Sequence, residues 1–228
     1  MNYNWNWKIF FEVSADGRHT WLTTLFIGLG WTLLTALCAG VIAFLLGSIL
    51  GVMRTTPNKW AVRFGNAYVE FFRNIPLLCL LFLVVFGLPD IGVLFNLYNS
   101  AVIAMAMFSA AFVCESIRTG INTVQVGQAE AARSIGLTFA QSMRFVILPQ
   151  ALRSMVQPLV NVWIGTLIGS SLASVIGIQD ATAVGQNLNN RYAGGLAVFA
   201  SIAAIYVVIA LLSGAFGGWV ERRVAVQR

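Results

Sequence analysis

Five stretches of this chain contain no Asp, Glu, Lys or Arg: residues 20–53, 74–89, 91–114, 154–179 and 192–220. A helix crossing the hydrocarbon layer of a bilayer needs about 20 predominantly apolar residues, because every backbone N–H and C=O must be satisfied inside the segment where no water reaches. Composition agrees, since 58% of the residues are apolar and 10% charged, against about 25% charged in soluble domains. The expected fold is all-α: an integral membrane protein with five transmembrane helices. The first stretch exceeds one crossing, which places its Trp21 to Gly30 end partly in the outer interface. The second is short, so its helix is expected to begin earlier, with Glu70 and Arg73 one turn apart on one face. Only Pro89-Asp90 separates the second and third stretches. A tight turn is expected there, with one long re-entrant span as the alternative.

Basic residues flanking spans are held on the cytoplasmic side. Arg54, Lys59, Arg63 and Arg73 follow the first span, Arg118, Arg133, Arg144 and Arg153 follow the third, and Arg222, Arg223 and Arg228 follow the fifth; Lys8, Arg18 and Arg191 fall on the other side. The bias puts the amino terminus outside and the carboxyl terminus inside, as an odd number of spans requires. The expected division is an outer segment at 1–19, a transmembrane domain at 20–220 with a polar loop at about 118–153, and an inner tail at 221–228. Glu12 and Asp16 stand where a secretory signal would be basic, so the first span is read as a retained anchor. The net charge of +6 reflects this topology and contacts with lipid headgroups in the bilayer. It forms no basic stripe interleaved with aromatics, and nucleic acid is not an expected partner.

Several chemistries lack their residues. Cys38, Cys79 and Cys114 form no C-x-x-C pair, and His19 is the only histidine. No metal site, cofactor or catalytic group is therefore expected. No G-x-x-x-x-G-K-[ST] phosphate loop is present, so ATP hydrolysis would need another chain. Gly47 and Gly51, Gly165 and Gly169, and Gly214 and Gly218 each lie four apart, spaced for close helix packing.

The loop at 118–153 has internal order. Residues 125–135 suit a helix with Ala129 and Ala132 on a smooth face and Glu130 and Arg133 pointing elsewhere. Gly136 suits its stop, because glycine adopts positive φ without steric cost. Thr138-Phe139-Ala140-Gln141 reads as a capping box opening a second short helix. That helix carries Phe139, Met143 and Phe145 and is expected to end at Leu148-Pro149. An elbow of this kind gains little burial on its own, which points to an external partner.

Glu130-Ala131-Ala132, then Gly136, then Val146-Ile147-Leu148-Pro149 resembles the EAA loop of permease subunits in ATP-binding cassette importers; the family usually has isoleucine where Val146 stands. Tyr68-Val69-Glu70-Phe71-Phe72-Arg73, followed by Pro76-Leu77-Leu78, looks like a segment of the polar amino acid permeases, as does Glu115 to Ile121 with Gly127-Gln128. These patterns cover most of residues 47–177. Asn4-Trp5-Asn6-Trp7, Arg54-Thr55-Thr56-Pro57-Asn58 and Ala173-Ser174-Val175-Ile176-Gly177 look most like the glutamate/aspartate permease group. One departure is Ile168-Gly169 before Ser170-Ser171-Leu172, where many relatives carry a lysine followed by aspartate or asparagine.

The resemblance implies a multi-pass permease of a bacterial inner membrane, with residues 1–19 periplasmic and 221–228 cytoplasmic. Its implied partners are an ATP-binding cassette ATPase dimer holding ATP-Mg, a second permease subunit (another copy or a relative) and a periplasmic solute-binding protein. Gly127, Glu130, Ala131, Ala132, Gly136, Leu148 and Pro149 are the implied ATPase-coupling residues. For the substrate path, Gln157, Asn161, Thr166, Ser170 and Ser171 are the polar groups of the fourth span; they line a wet cavity or make interhelical hydrogen bonds. Glu70 with Arg73 and Glu115 with Arg118 read as ion pairs or as substrate contacts. The expected substrate is glutamate or aspartate, with glutamine the alternative. An ion-coupled secondary transporter and a membrane scaffold without transport activity are the readings of another class.

Overall fold

The computed structural model describes residues 5–224, with side chains through Arg223. Asn4 of the Asn4 to Trp7 string, and Arg228 with most of the tail, lie outside the described residues. After a 3-10 turn at Trp7–Phe11, α1 (Trp21–Met53) and α2 (Lys59–Asn74) are followed by α3 (Leu77–Phe82), which runs through a π turn (Leu83–Gly87) into α4 (Leu88–Asp90). α5 (Leu97–Asn122), α6 (Val126–Ser134) and α7 (Phe139–Ser142) come next. A second π turn (Met143–Ile147) joins α7 to α8 (Leu148–Gly169), which a 3-10 stretch (Ser170–Ile176) extends; α9 (Ala181–Tyr192) and α10 (Gly195–Val224) complete the order.

α1, α5, α8 with its extensions, and α10 are each long and apolar enough to cross a membrane, and a fifth crossing is reached only by joining α2 to the α3–α4 run. The all-α membrane architecture is as expected, but the second span is not. Its helix does not continue back through Arg73 and Glu70, because Ile75 is extended at φ −91°, ψ 133°. The following proline crowds the α conformation of the residue before it. α2 is instead a separate helix, started by Asn58, whose side chain accepts the N–H groups of Trp60 and Ala61. The turn expected at Pro89-Asp90 falls at Gly92, where φ is 83° and the N–H groups of Gly92 and Val93 return to the carbonyls of Pro89 and Leu88.

The chain divides into two compact units. Unit 1 comprises Met1–Ala39, Leu77–Met105 and Gly165–Leu212. Its core sets Ile9, Phe10, Trp21 and Leu25 against Ala181, Val184, Leu188, Val198 and Ile202. Trp21 is only 2% exposed, so the start of α1 packs into this core. α9, which the sequence reading did not foresee, docks on α1: Thr32 Oγ1 accepts the Ala181 N–H at 3.2 Å, and a Cβ on Gly28 would come within 2.9 Å of the Asp180 backbone.

Unit 2 comprises Gly40–Pro76, Ala106–Ile164 and Ser213–Arg228. Ala43, Ala110, Val113, Ile117, Ile121, Met143, Ala151 and Met155 form its core. A Cβ on Gly47 would lie 2.6 Å from Val113 Cβ, and one on Gly51 2.9 Å from Ile117 Cγ2, so this glycine pair sets the approach of α1 to α5 as expected. The other pairs behave differently. Gly165 faces open space, Gly169 meets only Leu77, and in α10 the close contact belongs to Gly217 against Val160.

Phe44, Leu45 and Ile49 on α1, and Val207, Leu211, Leu212 and Phe216 on α10, stand exposed. Hydrocarbon is the environment in which such surfaces are stable. α5 is the exception, 72% of its apolar window being buried. Ala101, Ala104, Ala106, Ala110 and Ala111 are among its fully covered residues, and small side chains of this kind let neighbouring backbones approach.

Candidate functional site

The elbow forms largely as its residues dictate. α6 ends in paired hydrogen bonds from Gly136 N–H to Arg133 O at 2.9 Å and from Leu137 N–H to Ala132 O at 3.1 Å, the Schellman arrangement. It requires a left-handed residue, and Gly136 has φ 84°. A Cβ there would meet nothing within 4 Å, so the backbone conformation and not crowding selects glycine. The capping box is present: Thr138 Oγ1 accepts the Gln141 N–H at 3.3 Å, and Gln141 Oε1 accepts the Thr138 N–H at 2.9 Å.

Two expectations for the elbow are corrected. Ala132 is 3% exposed and Ala129 half-buried, whereas Gly127, Glu130 and Ala131 are exposed. The Ala129/Ala132 side therefore packs inward and cannot serve as a smooth outer surface. Leu148-Pro149 also fails to end a helix, for α7 continues through the π turn into α8. Proline lacks an N–H and its ring pushes away the carbonyl four residues back; the wider turn just before it, closed by Leu148 N–H on Met143 O, absorbs that clash. Leu148 is half-buried and Pro149 exposed. What the elbow turns outward is apolar: Val126 is 71%, Ile135 77% and Phe145 63% exposed.

Behind the elbow lies a charge cluster that helical spacing could not reveal. Arg54, with a side chain 6% exposed, donates from Nη1 to Glu115 Oε1 at 2.5 Å and from Nε to Asn66 Oδ1 at 2.7 Å. Burial works against its charge, but the hydrogen bonds to Glu115 and to the Cys114 thiol prevail and raise the guanidinium pKa. Arg73 and Arg118 stand 3.9 and 4.0 Å from the same carboxylate. The Glu115–Arg118 pair thus exists as the longest of three contacts. Arg73 pairs with Glu115 instead of Glu70, and lies 5.5 Å over the Phe112 ring. Gly65 makes room for this arrangement, since a Cβ there would sit 2.5 Å from Arg54 Cγ.

The polar residues of the fourth span divide between the two units. Gln157 and Asn161 belong to unit 2, and Thr166, Ser170 and Ser171 to unit 1. Gln157 donates to Glu221 Oε2 at 2.8 Å, while Asn161 is exposed with no hydrogen bond among the described residues. Thr166 is buried. Ser170 and Ser171 bond back to the carbonyls of Leu167 and Ile168, each at 2.7 Å, as hydroxyls commonly do in helices. Gln157, Asn161 and Gly165 are exposed at successive turns of α8. Among the described residues no three His, Cys, Asp or Glu side chains gather as a metal would need.

Apolar spans joined by a polar helix–glycine–helix elbow with an exposed apolar face define a multi-pass membrane protein. The chain belongs to the family described as binding-protein-dependent transport system inner membrane component, whose sequence profile matches residues 43–226. Glutamate/aspartate import permease protein GltJ of Escherichia coli (strain K12) is 35% identical over 222 residues, covering 92% of this chain and 90% of that protein. Probable glutamine ABC transporter permease protein GlnM of Bacillus subtilis (strain 168) is 35% identical over 192 residues, covering 84% and 89%. Among solved structures, the crystal structure of an amino acid ABC transporter with histidines matches with a TM-score of 0.82 and 35% identity, covering 89% of this chain and 95% of that one. The chain is a permease subunit of an ABC amino acid importer and a multi-pass inner-membrane protein.

Proposed function

We propose that this permease serves an importer of glutamate or aspartate and takes its driving force through the elbow. The substrate reading rests on the glutamate/aspartate permease of Escherichia coli, whose similarity runs over 92% of this chain, against 84% for the glutamine relative of equal identity. The coupling reading rests on one observation: an elbow ordered by its own caps leaves Val126, Ile135 and Phe145 uncovered beside the exposed Glu130. An ATP-binding cassette ATPase dimer, holding ATP-Mg, covers this face. Its closure moves the α6–α7 elbow, and through the unbroken α7–α8 run the motion enters the membrane.

A solute-binding protein delivers the amino acid from the periplasm, and a second permease subunit completes the path, with Gln157 and Asn161 on its wet side. Orientation follows the charges. Arg54, Lys59, Arg63, Arg73, Arg118, Arg133, Arg144, Arg153, Arg222 and Arg223 all fall in unit 2, and Lys8, Arg18 and Arg191 in unit 1. On this reading the segments carrying those ten residues of unit 2, with the carboxyl terminus, are cytoplasmic, and residues 1–19 are periplasmic.

The test is labelled-glutamate uptake into proteoliposomes carrying the permease, its ATPase and its binding protein. ATP-dependent uptake should compete with unlabelled aspartate and not with glutamine; the reverse preference overturns the substrate reading. Gly136→Val should abolish uptake while membrane insertion persists, and wild-type uptake by that variant would overturn the coupling reading. Unchanged uptake and specificity in both Asn161→Ala and Ser171→Ala would remove these residues from the path.

A further inference from the structure

Within unit 2 an open cavity of about 760 Å³ lies between the turn that follows α1, the end of α5, and the α6–α7 elbow. Arg54, Arg118 and Arg133 line it, and no carboxylate does. Glu115 behind the wall is bonded to Arg54 and lies 4.0 Å from Arg118. Arg133 forms no ion pair among the described residues. One carboxylate cannot balance these cations, so the cavity carries excess positive charge.

Two further features border the same space. Ser142 lines the cavity, is 4% exposed, and its Oγ has no hydrogen-bond partner among the described residues. Ser154, Ser170, Ser171 and Ser201, by contrast, satisfy their hydroxyls on their own helices. A buried hydroxyl left unpaired costs about 1–3 kcal/mol, a penalty that a ligand accepting its proton removes. The second feature is the start of α6, where Gln125 and Val126 line the cavity and Gln125 supplies no side-chain cap. Gln128 N–H bonds to Gln125 O at 3.0 Å, so the first N–H groups that remain available are those of Val126 and Gly127, at the positive end of the dipole of this nine-residue helix. The helices α2, α7 and α9 differ, since Asn58, Thr138 and Asp180 fill that role.

We propose that this cavity binds a phosphate-bearing anion, with Arg118 and Arg133 as charge partners and the Ser142 hydroxyl and the α6 N-terminal N–H groups as donors. The group comes either from the headgroup of an anionic phospholipid or from a soluble phosphate. A cavity of this volume is in the range of small-molecule sites and admits a headgroup with its glycerol. Bound there, the anion braces the elbow against the turn after α1. The inference is independent of which amino acid the importer carries.

The experiment uses the full-length chain in neutral detergent. After extraction from membranes of mixed phosphatidylglycerol and phosphatidylcholine, native mass spectrometry should find phosphatidylglycerol retained. Retention should fall about tenfold in Arg118→Gln/Arg133→Gln, the loss expected when charge-assisted hydrogen bonds are removed, and remain unchanged in Arg191→Gln. In parallel, inorganic phosphate is titrated into the delipidated chain and thermal unfolding followed. Lipid retention that depends on the two arginines, without phosphate protection, identifies a lipid site; protection that depends on them, without lipid retention, identifies a soluble-anion site; both together identify a site open to either. Absence of both effects, or equal effects in the double variant, overturns the proposal. Ser142→Ala, which removes one buried atom, carries the same readout should the arginine variant not fold.

Discussion

Arg54 and Glu115, 61 positions apart in sequence, meet through a hydrogen bond of 2.5 Å between Nη1 and Oε1. The pair ties the end of α1 to α5, and Asn66 of α2 shares the same guanidinium. The environment is unequal: Arg54 has one carboxylate, while Glu115 also faces Arg73 and Arg118.

That inequality ranks two substitutions. Glu115→Ala strands a nearly buried guanidinium beside two further cations and is expected to cost about 3 kcal/mol, whereas Arg54→Met leaves Glu115 with two partners and costs about 1 kcal/mol. Unfolding midpoints in detergent measure the order. Equal costs, or the reverse ranking, would mean that the cluster is not organised around Glu115.

Gly136 is held by backbone conformation alone. Gly136→Ala should weaken the end of α6 by about 1–2 kcal/mol, the cost of a left-handed residue with a Cβ, while Gly136→Asn should cost less because Asn tolerates that region. Hydrogen exchange of the α6 amides reads this directly. Equal protection in all three proteins would remove the conformational argument.

Gly47 and Gly165 make an opposed pair. A side chain at Gly47 would strike Val113 and the Ala110 carbonyl, whereas at Gly165 it would meet nothing within 4 Å. Gly47→Val is expected to destabilise by about 1–3 kcal/mol through overpacking, and Gly165→Ala to leave stability unchanged. Uptake lost in Gly165→Ala at wild-type stability would mark that open face as part of the path; destabilisation by Gly165→Ala would show that its space is not free.

Asp180, in the connection between the last two spans, predicts a pH dependence. It is 1% exposed, and burial raises its carboxyl pKa from 3.8 to about 6 despite the hydrogen bond from Ala183 N–H. The folded chain therefore binds this proton more tightly than the unfolded chain. The stability it contributes is fully present below pH 3.8 and is lost as pH rises through about 6, a change of about 3 kcal/mol. Asp180→Asn keeps the oxygen that caps α9 and should flatten this part of the unfolding profile. An unchanged slope would assign the dependence to another group.

Much of the elbow was legible because its determinants are local. Gly136 at positive φ, the Thr138/Gln141 box and the extent of α6 each depend on residues within a few positions of one another. Legibility ended where a local rule met a nonlocal outcome. Pro149 reads as a helix stop, yet the π turn before it lets α7 run into α8; Ala132 reads as outer surface until the packing of unit 2 covers it. Spacing also paired Glu70 with Arg73, while the folded chain gives Arg73 to Glu115.

Sequence alone determined the membrane class, the number and approximate position of the apolar stretches, the charge bias between their ends and the internal order of the elbow. These follow from the cost of placing charge or unpaired backbone in hydrocarbon and from short-range dihedral preferences, both of which act on neighbouring residues. Tertiary structure alone decided that Arg54 reaches Glu115, that Gly47 and Gly51 set a helix contact while Gly165 does not, and that Ser142 and three arginines share one cavity. Such relations depend on which distant surfaces come within a few ångströms, and side-chain volume and hydrogen-bond reach settle that only after the helices have packed.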